Sequence, residues 1–216
     1  TLIRSTQLSN LQMHNGKWNR FFGRRLSEVT IGIIGVGRIG SGVVEHLKGF
    51  SSPKILINDT SADHKNCRKL EDKHYNVEWA EKEDIYQQAD IISIHTPLTA
   101  QTKNMIKREQ LLSMKEDAII INTARGGIIN EQDLYNVMQA GHLSGAAIDV
   151  FDQEPYDGKL REIERCLLTA HMGSMSIDCR ARMEIEATEE AVRFLTNQPL
   201  EGVVPEEEYV VQREGL

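Results

Sequence analysis

Thr30-Ile31-Gly32-Ile33-Ile34-Gly35-Val36-Gly37-Arg38-Ile39-Gly40 is the stretch that decides the fold. Its isoleucines show no polar alternation, as expected of a strand buried on both faces of a parallel sheet. Gly35, Gly37 and Gly40 then match G-x-G-x-x-G. Alone the pattern is weak, because glycine-rich turns recur by chance. Here it closes a buried strand and opens an apolar-faced helix over residues 37–49, with Val43, Val44, Leu47 and Phe50 at helical spacing. In that context Gly35 allows the tight turn, Gly37 admits a pyrophosphate to the backbone, and Gly40 lets helix and strand pack closely. A helix N-terminus favours an anion there, so the x positions Arg38 and Ile39 join the three glycines as the expected phosphate-binding loop, where the Arg38 side chain can add charge.

Working outward, further Ile- and Val-rich runs fall at 54–57, 91–95, 118–122, 145–150 and 166–170, with a weaker one near Val77. Helical patterns lie between them near 63–70, 82–88, 107–114 and 131–140, and Gly141 stands where the last should be capped. Strand and helix alternating with short loops predict an α/β, Rossmann-type doubly wound parallel sheet. Residues 1–22 read as a lead-in helix and linker, and 23–176 as the sheet domain. A long return helix and following segment occupies 177–203, with Ala181, Ile185, Val192 and Leu195 along one face. An acidic tail follows at 204–216.

Composition narrows the function. The chain has 216 residues, 40% hydrophobic and 26% charged, with a formal net charge of −7. That balance, without a Lys/Arg cluster, argues against a nucleic-acid surface, and Arg24-Arg25 reads as solvated surface. No apolar run is long enough for a membrane span, and no leader is expected. Cys67, Cys166 and Cys179 form no C-x-x-C pair or zinc spacing, so they read as structural thiols in a reducing, cytoplasmic setting. No His/Cys/carboxylate spacing predicts a metal, and His14, His46, His64, His74 and His142 read as surface or packing residues.

The second strand ends at Asn58-Asp59, nineteen residues beyond Gly40. An acid there accepts hydrogen bonds from ribose hydroxyls and repels a 2′-phosphate, so NAD is favoured over NADP. The alternative, a surface Asp in a turn, stays open. Three more segments follow buried strands: Asn122-Thr123-Ala124-Arg125-Gly126-Gly127, then Asp149-Val150-Phe151-Asp152-Gln153-Glu154-Pro155, then Thr169-Ala170-His171-Met172-Gly173. Strand C-terminal ends are where open α/β sheets place ligands.

In order, residue type and spacing, these motifs resemble the D-isomer-specific 2-hydroxyacid dehydrogenase family over about residues 1 to 203. Asn15-Gly16-Lys17-Trp18 and His95-Thr96-Pro97-Leu98 with Thr102 are similar to further family segments. The resemblance implies a catalytic set of Arg125, Glu154 and His171. It also implies a cofactor lining of His95, Thr96, Pro97, Thr102, Thr123, Ala124, Arg125, Asp149 and His171, with Asp149 towards the nicotinamide carboxamide. Arg grips a carboxylate through a planar fork, a neutral His takes the hydroxyl proton, and Glu154 orients the imidazole.

The implied substrate is a small 2-hydroxy or 2-oxo acid, in a phosphoglycerate dehydrogenase-like or hydroxypyruvate/glyoxylate reductase-like enzyme. An alternative is an NAD(H)-binding, corepressor-like module without turnover. Family members carry an N-terminal substrate domain that this chain is expected to lack, and the flanking helices are expected to belong towards it. A homodimer is also implied. Leu8, Leu11, Met13, Trp18, Phe21 and Phe22 either contribute to it or pack on their own domain.

Overall fold

The computed structural model describes residues 1–51, 53–60, 62–74 and 76–203. Seven strands form one sheet: β1 (Thr30–Ile34), β2 (Lys54–Asn58), β3 (Val77–Trp79), β4 (Ile91–Ile94), β5 (Ile119–Asn122), β6 (Gly145–Ile148) and β7 (Cys166–Leu168). Their order is β3-β2-β1-β4-β5-β6-β7, and every pairing is parallel. The doubly wound sheet expected from the sequence is therefore the fold, and the weak strand near Val77 forms its edge. The order in which successive strands are added switches sides between β1 and β4, which opens a crevice at their C-terminal ends.

Both sheet faces are covered, as the unalternating strands require. On one face Val36, Val44, Ile55, Cys67 and Leu70 pack with Ile31 and Ile33, bringing in α2 (Arg38–Leu47) and α3 (Lys65–Lys73). On the other, Ile85, Leu111, Leu134 and Met138 pack against Ile34, Ile92, Ile94 and Ile120. These come from α4 (Lys82–Gln88), α5 (Arg108–Ser113) and α6 (Glu131–Gln139). Gly141 follows α6 at φ +93°, the left-handed C-terminal cap that the sequence placed there. Burial raises the Cys67 thiol to about 11 and the Cys166 thiol to about 12. Both therefore stay protonated and unreactive at neutral pH.

The chain ends behave differently. α1 (Thr6–His14) and α7 (Ile177–Leu195) contribute no buried residue. Ile185, Val192 and Leu195, the apolar face read from the sequence, are 56%, 52% and 78% exposed. Leu11, Met13, Trp18 and Phe22 are exposed too, so packing on their own domain does not account for them. The acidic tail lies outside the described residues.

Arg24 is not the solvated residue its sequence context suggested. Its Nη1 donates to Asp90 Oδ1 at 3.1 Å, beside Lys115 Nζ at 2.9 Å. The Thr30 N–H donates to Asp90 Oδ2 at 2.7 Å. This cluster ties the lead-in to the N-terminal ends of β1 and β4. Burial alone would raise the Asp90 carboxyl, but the Thr30 N–H, Lys115 and Arg24 outweigh it and hold it below the usual aspartate range. A carboxyl so depressed stabilises the fold above its unfolded value, and that contribution fades as pH falls through the folded value. Asp90→Ala is expected to lower stability by about 3 kcal/mol at neutral pH, with the deficit shrinking in acid. Urea melts at several pH values check this, and a constant deficit would contradict it.

Candidate active site and cofactor cleft

The glycine loop sits at the sheet's reversal point. Gly35 has φ +91°, and a Cβ on it would lie 2.7 Å from the His95 carbonyl group. A Cβ on Gly40 would come within 1.9 Å of the Gly35 carbonyl oxygen. Turn and close packing thus account for these two glycines. Gly37 differs, because a Cβ there meets nothing within 4 Å. Its missing side chain leaves open space at the start of α2, where no side chain caps the helix. A helix start placed beside open space suits an anion, which fits a diphosphate.

The Val36 peptide fixes the loop from both sides. Its N–H donates to Asp59 Oδ2 at 2.8 Å. Its carbonyl accepts from Ser41 Oγ at 2.6 Å and from Asn66 Nδ2 at 2.8 Å. Asp59 thus holds the loop as well as facing the cleft. Ser41 and Asn66 were missed in the sequence, since a side chain binding a distant carbonyl leaves no local pattern.

A cavity of about 780 Å³ runs along the loop, lined by Gly35, Gly37, Asp59, Thr60, His95, Thr96, Pro97 and Thr102. Trp79, Glu81, Lys82 and His64 also line it. The first three come from β3 and the α4 start, whose roles needed the strand order. His64, read from sequence as a surface or packing residue, is half-buried, and its Nδ1 faces the Asn66 N–H at 3.4 Å at the start of α3. Thr102 Oγ1 donates to the Pro97 carbonyl at 2.6 Å and accepts from the Thr99 N–H at 2.7 Å, closing the loop that carries Pro97. Burial pushes the His95 imidazole down and keeps it neutral, and its Nε2 lies 2.9 Å from Ser93 Oγ. Arg38 and Ile39 stand exposed at the α2 start.

The other three segments converge at the C-terminal ends of β5, β6 and β7. His171 Nδ1 lies 2.9 Å from Glu154 Oε2. His171 chiefly, then the Phe151 N–H, holds the Glu154 carboxyl below the usual glutamate range. Both side chains are partly open to solvent, at 50% and 38%. Asp149 is buried, and its Oδ1 accepts from the Met172 N–H at 2.9 Å and from the Thr169 hydroxyl. Its carbonyl accepts the His171 N–H at 2.8 Å. These bonds hold His171 at φ +50°, a backbone state that costs a non-glycine residue about 1 kcal/mol. The clamping role of Asp149 could not be read from its motif.

Arg125 stands apart from the pair. It is exposed, makes no ion pair among the described residues, and turns its Nη1 to the Ala124 carbonyl at 2.7 Å. Asn122 shapes its loop, accepting from the Ala124 N–H and donating to the Arg125 carbonyl. Thr123 is exposed between them. Among the described residues no three His, Cys, Asp or Glu side chains gather as a metal site, and no helix is long and apolar enough to cross a membrane.

Sheet order, glycine loop and cleft together define a dinucleotide-binding α/β domain. Residues 1–173 match the family described as D-isomer specific 2-hydroxyacid dehydrogenase, NAD binding domain. The chain belongs to that family, and its cofactor is NAD. It is 31% identical over 207 residues to D-3-phosphoglycerate dehydrogenase of Bacillus subtilis (strain 168), covering 94% of this chain and 38% of that protein. It is 35% identical over 189 residues to glyoxylate reductase of Korarchaeum cryptofilum, covering 87% of this chain and 55% of the relative. The chain thus spans roughly a third to a half of the length of these curated relatives. Among solved structures, NAD-dependent formate dehydrogenase of Staphylococcus aureus in complex with NAD superposes with a TM-score of 0.82 at 28% identity. That match covers 94% of this chain and 62% of the other.

Proposed function

We propose that this chain carries the NAD site and the acid/base residues of an NAD-dependent oxidoreductase. It would interconvert a D-2-hydroxy acid and its 2-oxo acid. The His171–Glu154 contact of 2.9 Å, at the strand ends beside the nucleotide cleft, is the observation that carries this reading. A histidine nitrogen facing a carboxylate bears the hydrogen, so Nδ1 is the donor and Nε2 is left as a base. In oxidation His171 Nε2 takes the hydroxyl proton, and in reduction it returns that proton to the carbonyl oxygen. Glu154 fixes the ring and stabilises the imidazolium. Arg125 turns its guanidinium to the substrate carboxylate, and Asp149 keeps the His171 backbone in place while facing the nicotinamide end. NAD supplies the hydride acceptor when bound. Asp59 takes the ribose hydroxyls and disfavours NADP.

The remaining length of the relatives supplies the opposing wall of the substrate pocket, and the bare face of α7 packs towards it. The exposed Leu11, Met13, Trp18 and Phe22 support pairing with a second copy. The test is a panel of small 2-oxo acids, phosphorylated and not, assayed with NADH and with NADPH. It uses a polypeptide of the relatives' length that contains this chain. Turnover is expected with at least one acid and preferentially with NADH. Tight NADH binding with no turnover across the panel would instead favour a binding module.

A further inference from the structure

Residues 151–156 carry Glu154 through neither strand nor helix, and residues 152–155 are exposed. Such a segment holds a side chain in place only if its backbone is anchored. Some anchors are internal: the Phe151 N–H donates to Glu154 Oε1 at 3.1 Å, and the Phe151 and Tyr156 rings stack with centroids 4.1 Å apart. Another comes from the Arg125 loop, where a Cβ on Gly126 would lie 2.0 Å from the Phe151 carbonyl oxygen. The two backbones therefore touch. A polar tie adds to this contact, because the Asp152 N–H donates to Glu131 Oε1 at 2.7 Å.

Glu131 is the first residue of α6, five positions after Gly126. Its carboxylate is set against the favourable end of the helix dipole, and a charged acceptor makes a stronger bond to an N–H than a neutral one. Burial nevertheless raises the Glu131 carboxyl above its usual range. A partly desolvated acid is a costly way to hold one loop N–H.

We propose that Glu131 is a positioning residue for the reaction. By holding the Asp152 N–H, it registers the Glu154–His171 pair against the Arg125 loop that leads into α6. The inference rests on the functional reading above, in which carboxylate grip and proton transfer act on one substrate. Misplacing reacting groups by about 1 Å can cost 10²-fold in rate, so a tie between the two loops has leverage without touching substrate.

The test is the Glu154 titration, followed by carboxyl ¹³C NMR on this chain and assigned with Glu154→Gln. Wild type is compared with Glu131→Gln, which keeps an acceptor, and Glu131→Met, which keeps the volume without one. Glu131→Leu serves if the Met variant does not fold. Every substitution removes the same negative charge, which by itself would lower Glu154 further. The expected result is an upward shift of Glu154, towards the ordinary glutamate range, in the Met or Leu variant and none in the Gln variant. A Glu154 carboxyl equally depressed in all of them overturns the role of Glu131 and leaves the His171–Glu154 pair standing. An ordinary Glu154 value in wild type overturns the pair, and the inference with it.

Discussion

Replacing His171 by glutamine is expected to lower the rate of reduction or oxidation by about 10²–10⁴-fold, the usual worth of a positioned acid/base. NADH affinity should change little. The Gln side chain can still hydrogen-bond near Glu154, whose partner in the structure is His171 Nδ1 at 2.9 Å. It cannot, however, cycle a proton near neutral pH. Loss should fall on kcat, because the step removed belongs to the transition state. Stopped-flow traces with NADH and a 2-oxo acid separate binding from hydride transfer. A His171→Gln variant that binds NADH weakly but reduces substrate normally once bound would place His171 in a structural role.

The second large effect separates two glycines that one motif treats alike. Gly40→Ala puts a methyl 1.9 Å from the Gly35 carbonyl oxygen, a backbone atom that cannot rotate aside. Overpacking of this kind costs about 1–3 kcal/mol and occasionally more, so a loss of about 3 kcal/mol in stability is expected, with cofactor binding lost as well. Gly37→Ala meets nothing within 4 Å and sits at a negative φ of −65°. Its stability is expected to stay within about 1 kcal/mol of wild type. NADH should bind at least tenfold more weakly, because the methyl occupies the space left for the diphosphate. Thermal melts and NADH titrations of both variants check the pair. Equal destabilisation by the two substitutions would remove the distinction between packing and ligand space.

Much of this was legible in the sequence, for physical reasons. Strands buried on both faces lose their polar alternation, so runs such as Ile119–Asn122 announce a parallel sheet. Segments at strand ends stay local in sequence, and it was their resemblance to a known family that named Glu154 and His171 before their contact was seen. Contacts that depend on strand order were not legible. Asn66 reaches Val36 from thirty residues away, Glu131 reaches Asp152 from twenty-one, and Arg24 reaches Asp90 from sixty-six. No periodicity records such pairings, because each partner lies on an element whose neighbours only the folded sheet defines.

The bond from the Val36 N–H to Asp59 has a consequence for redesign of the coenzyme preference. The usual route to a phosphorylated coenzyme deletes the acid at the end of the second strand. In this chain deletion to alanine would also release one end of the glycine loop proposed to hold the diphosphate, so the exchange is expected to weaken both coenzymes at once. Asparagine keeps an oxygen for that N–H while discarding the charge. Engineering here would therefore begin with an amide at position 59, and would add a cation for the extra phosphate only after the loop had been kept in register.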